Sequence, residues 1–109
     1  MTDRELLEAA AKAAGYELFW VITDPMIRCN EPAHPDKTHN LWNPLTDDGD
    51  ALRLAVRLRL KLNIGTEATF ANDTVDGETI HWAREQHAES DPCAATRLAI
   101  VRAAAAIGV

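Results

Sequence analysis

Apolar residues recur along the chain with two periods, one near 3.6 and one near 2, and the switches between them mark the elements. Leu6, Leu7, Ala10, Ala13 and Ala14 fall on one side of a helical projection and Arg4, Glu5, Glu8 and Lys12 on the other, which predicts an amphipathic first helix. Its buried side is mostly alanine, so it can approach a neighbour closely. Thr2-Asp3-Arg4-Glu5 has capping-box spacing, and Gly15 is placed to take a left-handed cap. Residues 16–23 are aromatic and β-branched with no polar alternation between Glu17 and Thr23, which predicts a strand buried on both faces. Asp24-Pro25 predicts a turn, and Met26-Ile27-Arg28-Cys29 a shorter returning strand. Residues 30–40 carry two prolines and no apolar period, the pattern of a surface loop.

The most hydrophobic helix is predicted over residues 42–60. Pro44 biases Asn43 to extended backbone, Thr46 is the expected N-cap, and Asp47, Asp48 and Asp50 sit at the positive end of the dipole, ahead of Arg53, Arg57 and Arg59. Ala51, Leu54, Ala55, Leu58 and Leu62 make one stripe, while Leu52, Val56 and Leu60 make a second that a simple amphipathic helix would leave polar. After Gly65, residues 66–71 read as a strand. Asp76-Gly77 suits a two-residue hairpin, leading into residues 78–83 with Ile80 and Trp82 inward and Thr79 and His81 outward. Residues 84–90 are polar and predict loop. Asp91-Pro92 then opens a last helix toward Ile107, closed by Gly108. Its stripe is Thr96, Ala99, Ile100, Ala103 and Ile107, yet Leu98, Val101 and Ala105 lie opposite, implying a second covered face or a partner surface. The prediction is one α+β domain over residues 1–109, in the order α-β-β-loop-α-β-β-α.

With 109 residues and 47% apolar content, such a domain can bury a core without metal or disulfide. The net charge of −6 argues against broad nucleic-acid or anionic-membrane binding and leaves a basic partner surface open. Cys29 and Cys93, far apart, suggest buried free thiols in a reducing compartment. The chain has no charged-then-apolar leader and no apolar run near the ~18 residues of a membrane span, so a cytoplasmic location is expected.

Candidate chemistry is sparse. Cys29, His34 and His39 could bring sulfur and imidazole to zinc, with Asp36, His81 or His87 as fourth ligand, but the spacing is loose and an exposed polar loop is the simpler expectation. Asp47-Asp48-Gly49-Asp50 lacks the alternating ligands and distant glutamate of a calcium loop, and helix capping accounts for its acids. His81 could work with Glu78 or Glu85, although on an alternating strand Glu78 faces away from it. The chain shows no nucleophile elbow and no phosphate-cradling glycine loop, so neither enzymatic activity nor a cofactor is expected.

Leu6-Leu7-Glu8-Ala9-Ala10-Ala11-Lys12-Ala13-Ala14-Gly15, the run from Trp42-Asn43-Pro44-Leu45-Thr46-Asp47-Asp48-Gly49-Asp50 to Val56, and the closing run from Ala94-Ala95-Thr96-Arg97 to Gly108 resemble the small phage and prophage proteins called phage ABA sandwich domains. The resemblance implies helices on both faces of a small sheet (α/β/α) and a phage-encoded protein working in a bacterial cytoplasm. It carries no catalytic pattern. The function expected is therefore binding of a host or phage protein, such as a defence or regulatory complex to be inhibited. Leu52, Val56, Leu60, Leu98 and Val101 are the candidate partner surface, or a surface for self-association. The alternative is a small-molecule binder, such as a sponge for a nucleotide signal, with a pocket between subunits lined by Trp82, Trp20 or the arginines.

Overall fold

The computed structural model describes residues 1–20, 27–35, 40–87 and 91–109. The turn expected at Asp24-Pro25, strand positions 21–23 and 26, the loop tip at 36–39 and residues 88–90 lie outside them. Among the described residues the order is α1 (Asp3–Ala14), β1 (Leu18–Trp20), β2 (Ile27–Cys29), α2 (Asp48–Arg57), β3 (Lys61–Ile64), β4 (Ala68–Asn72), β5 (Trp82–Gln86) and α3 (Pro92–Gly108). The fold is α+β, with three helices and two antiparallel sheets, β1-β2 and β3-β4-β5.

The element on which α1, α2, β4 and β5 all pack is α3. Its alanines divide between two neighbours: Ala99 and Ala103 meet Ala71 and Ala83 of the three-stranded sheet, while Ile100, Val101, Ala104 and Ala105 join the core shared with α1 and α2. Small side chains on both helices let α1 and α3 approach to backbone contact. A Cβ built on Gly108 would stand 1.9 Å from the Ala9 carbonyl oxygen. The far side of α3 is thus a covered face, and Val101, expected on a partner surface, is fully buried. Leu98 is half-buried against the same core. Asp91 accepts from the Cys93 amide at 2.9 Å and Pro92 occupies the first turn, as its missing N–H allows.

Both ends of α1 form as predicted. The Thr2 hydroxyl accepts from the Glu5 amide at 3.2 Å, the Glu5 carboxylate reaches back to Thr2, and Gly15 closes the helix at φ 78°. The β1 strand departs from expectation. Leu18 and Trp20 pack inward, but Phe19, paired with Arg28, is exposed, so the strand is covered on one face and not on both.

The cap of α2 is Asp47, not Thr46. Asp47 accepts from the Asp50 amide at 2.8 Å, whereas Thr46 donates to the Asn43 carbonyl within the preceding turn. The helix also ends earlier than its apolar stripe suggests. Arg59 takes φ 54°, the Leu60 amide returns to the Ala55 carbonyl at 2.9 Å, and the Arg59 amide returns to Val56 at 3.1 Å. These two bonds are the pattern of a Schellman stop, here with arginine where glycine is usual. The chain then enters β3, whose Leu62 the sequence reading counted in the helical stripe. Leu60, just before the strand, and Leu62 within it pack onto the core, so Leu60 is not part of an outer face of α2.

The predicted turn at Asp76-Gly77 is present, with φ 52° and 80° and reciprocal bonds between Val75 and Glu78 at 2.8 and 2.9 Å. The following strand is shifted toward the C-terminus. It starts at Trp82 and includes residues 84–86, expected as loop. Ala83 takes the inward position against α3, so Trp82 points outward and is 62% exposed; Ile80 is exposed as well.

Candidate functional site

Residues before α2 fold back on its first turn through its acids. The Asn43 side chain accepts from the Leu45 amide at 3.0 Å and its own amide donates to Asp50 at 2.9 Å, so the Pro44 turn is pinned to the helix it precedes. Asp50 also takes a hydrogen bond from Arg53, whose Nε donates to Glu31 at 3.0 Å. One guanidinium therefore serves two buried carboxylates, one from the loop after β2 and one from α2. Burial pushes the Glu31 carboxyl above its ordinary value, opposed by Arg53 and reinforced by the charge of Asp50. Its Oε2 has no hydrogen-bond partner among the described residues.

His34 is buried beside this group. Its Nε2 donates to the Leu41 carbonyl at 2.5 Å and lies 4.0 Å from Asp50. A cavity of about 390 Å³ opens between His34, Leu41, Trp42 and Asp50. Trp42 is buried, meets Tyr16 edge-on at 6.1 Å, and has an indole N–H without a partner among the described residues.

The residues considered for zinc do not assemble around one point in the described structure. Cys29 lies in the hydrophobic core, where burial pushes its thiol up to about 11, so it holds its proton. The imidazole of His34 is committed to Leu41, and His39 lies outside the described residues. Among the described residues no group of three His, Cys, Asp or Glu side chains is placed to hold a metal. Both cysteines are free, and Cys93, expected to be buried, is exposed.

His81 does meet a carboxylate, but a different one from those the sequence suggested. Its Nδ1 donates to Asp73 at 2.7 Å, and the other Asp73 oxygen accepts the amides of Ile80 and His81. Burial opposes ionisation of Asp73, but these bonds prevail and hold its carboxyl below the ordinary value. The pair orients an imidazole whose Nε2 could accept a proton. No hydroxyl or thiol is bonded to it among the described residues, and its evident work is to close the hairpin. A second histidine contact escaped the sequence reading: Thr69 joins His87 Nε2 at 2.7 Å and Thr96 Oγ1 at 2.9 Å, tying β4, the residue after β5, and α3. The only signal was Thr96, a hydroxyl inside an alanine stripe.

On α2, Leu52 and Val56 face water, 58% and 68% exposed. Leu52 borders a groove of about 360 Å³ floored by Ala51, Leu62, Ile64 and Ile100, with Cys93 and Thr96 on its α3 side. On the other side of Leu52, toward Glu31 and Tyr16, a hollow of about 310 Å³ includes Val56. The polar groups on the groove's rim pair with each other: Arg97 donates to Asp48 at 2.5 Å and to the Leu45 carbonyl at 3.0 Å. Of the five residues expected on a partner surface, the structure brings Leu52 and Val56 together at the surface and withdraws Leu60, Leu98 and Val101 into the packing. Trp20 and Trp82 belong to different sheets, and Trp20 is stacked under Arg4 at 4.3 Å. No helix among the described residues is long and apolar enough to cross a membrane. No family model, no curated protein and no solved structure matches the chain.

Proposed function

We propose that the chain is a non-enzymatic binding module that docks a protein partner on the α2 surface. The observation that supports this is the exposure of Leu52 and Val56, one helical turn apart, beside a groove walled by apolar side chains. Because Asp48–Arg97 and Glu31–Arg53 neutralise each other at the margins, recognition rests on apolar burial rather than charge. The occupant that fits is a protein segment presenting apolar side chains at helical spacing. Kinship with phage ABA sandwich domains belongs to the same proposal, as does a host or phage protein as the target, a bacterial defence or regulatory complex included. In the resembling run, Trp42 and Pro44 are buried, Asp47 caps and Asp50 clamps, so the likeness is one of scaffold.

The test is capture from bacterial lysate by immobilised protein, in parallel with the double variant Leu52→Asp, Val56→Asp. The expected result is a stoichiometric protein held by the parent chain and lost from the double variant. Equal capture by both, or none by the parent, refutes the proposal. A second reading, small-molecule binding, is favoured by the cavity of about 390 Å³ beside Trp42 and Asp50. A nucleotide or other small ligand seated there would raise the thermal midpoint with no protein present.

A further inference from the structure

The face of β3-β4-β5 turned away from α3 carries a chemistry unlike the rest of the molecule. Register places Asn63, Phe70 and Arg84 in one row across the three strands and Lys61, Asn72 and Trp82 in the next. The last row, Ala68 and Gln86, is neutral. The charged strand residues of this face, Lys61 and Arg84, are therefore basic, on a chain of net charge −6. Phe70 and Trp82 are diagonal neighbours on adjacent strands, 41% and 62% exposed, and the Arg84 guanidinium lies 5.6 Å over the Phe70 ring. Glu85 is on the α3 side and held by Arg102, and Asp76 and Glu78 are at the hairpin tip. Glu67, in the turn before β4, borders the hollow that Asn63, Phe70 and Arg84 line, so one acid stands at the edge of the face.

We infer that this face binds single-stranded nucleic acid, with successive bases stacked on Phe70 and Trp82 and phosphates met by Arg84 and Lys61. Flat aromatic surfaces on neighbouring strands accept bases of any sequence, and the cations of Lys61 and Arg84 attract the backbone. Two cations are too few to hold a duplex, whose stacked bases cannot reach the aromatic rings. A second copy of the chain laid face to face would set Arg84 and Lys61 against their own kind. A neutral sugar could use the rings but would leave Lys61 and Arg84 without a counter-charge. The whole-chain charge predicts weak binding at high salt, and with two phosphates neutralised the logarithmic salt slope should be about −1.4. This inference uses a surface separate from the α2 groove and stands or falls independently of it.

The experiment is fluorescence anisotropy of a labelled oligothymidylate of roughly ten nucleotides at low ionic strength. The parent chain is expected to bind. Trp82→Ala should weaken binding by roughly 5-fold or more, and Phe70→Ala should act in the same direction. Arg84→Gln should weaken it and reduce the salt slope by about 0.7. Leu52→Asp should leave it unchanged. Trp82 is mostly exposed, so its variant should keep the parental thermal midpoint, and Phe70→Ala gives an independent reading. No anisotropy change with the parent overturns the inference. So does parental binding by both Trp82→Ala and Arg84→Gln, equal affinity for the matching duplex, or displacement of the strand by a neutral oligosaccharide.

Discussion

Gly108 is the position where general helix propensity and the particular packing of this fold predict opposite signs. Replacing a helical glycine with alanine ordinarily gains up to about 1 kcal/mol. Here the added Cβ would lie 1.9 Å from the Ala9 carbonyl oxygen, 2.8 Å from its carbon and 3.1 Å from the Ala13 amide nitrogen. The atoms met are α1 backbone, which cannot turn aside as a side chain can, so the two helices must separate by about 1 Å or the last turn of α3 must peel off. Overpacking of this kind costs roughly 1–3 kcal/mol, and separation would also loosen Leu6, Ala10 and Ala105 in the same core. After the propensity gain, Gly108→Ala should destabilise by about 1–2 kcal/mol. For a domain of this size that is a fall in Tm of roughly 4–10 °C. Thermal unfolding followed by circular dichroism measures it. An unchanged or raised Tm would show that α1 and α3 are not clamped at this point.

The other predictions concern caps and buried charge. Asp47→Ala should cost about 1 kcal/mol by denaturant unfolding, while Thr46→Ala should cost almost nothing, because only Asp47 accepts from the Asp50 amide. Arg53→Met leaves Glu31 and Asp50 buried without their common cation and should cost roughly 3 kcal/mol at neutral pH, less in acid where Glu31 protonates. The folded-state value of Glu31 is raised above its ordinary 4.5, so the folded chain holds this proton more tightly than the unfolded one. As pH falls from the raised value through 4.5, the parent should therefore gain stability relative to Glu31→Gln; a difference constant with pH would contradict the assignment. Cys29 should resist thiol reagents at neutral pH while Cys93 reacts, giving one equivalent in the native protein and two after denaturation. Between pH 9.0 and about 11 the Cys29 thiol ionises only when unfolded, so stability should decline across that interval in the parent and less in Cys29→Ala.

Helix starts and stops that rest on local chemistry were legible in the sequence. The Thr2–Glu5 box, Gly15, Asp91-Pro92 and the Asp76-Gly77 turn each satisfy backbone groups within a few residues, and the structure has all of them. The end of α2 was not, because its stop uses Arg59 in a left-handed conformation with no glycine to announce it. Leu54, Leu58 and Leu62 also fit helical spacing, which masks the alternation of Leu58, Leu60, Leu62 and Ile64. The same ambiguity hid the orientation of β5. Trp82 and Ala83 compete for the inward position, and close approach of an alanine-lined α3 admits only the smaller.

Net charge does not describe how charge is distributed over the surface. Four of the five helical arginines meet acids: Arg4 with Glu8, Arg53 with Glu31 and Asp50, Arg97 with Asp48, and Arg102 with Glu85. Those pairs cancel locally. Lys61 and Arg84 enter no ion pair among the described residues, and strand alternation sends the neighbouring Glu85 to the opposite face. Which charges remain to act on a partner is decided by strand register, and register here depends on an alanine, Ala83, facing α3. A slip of one residue would turn Trp82 and Arg84 inward and bring Glu85 out. The basic aromatic face and the close packing of α3 on the sheet are therefore consequences of the same register.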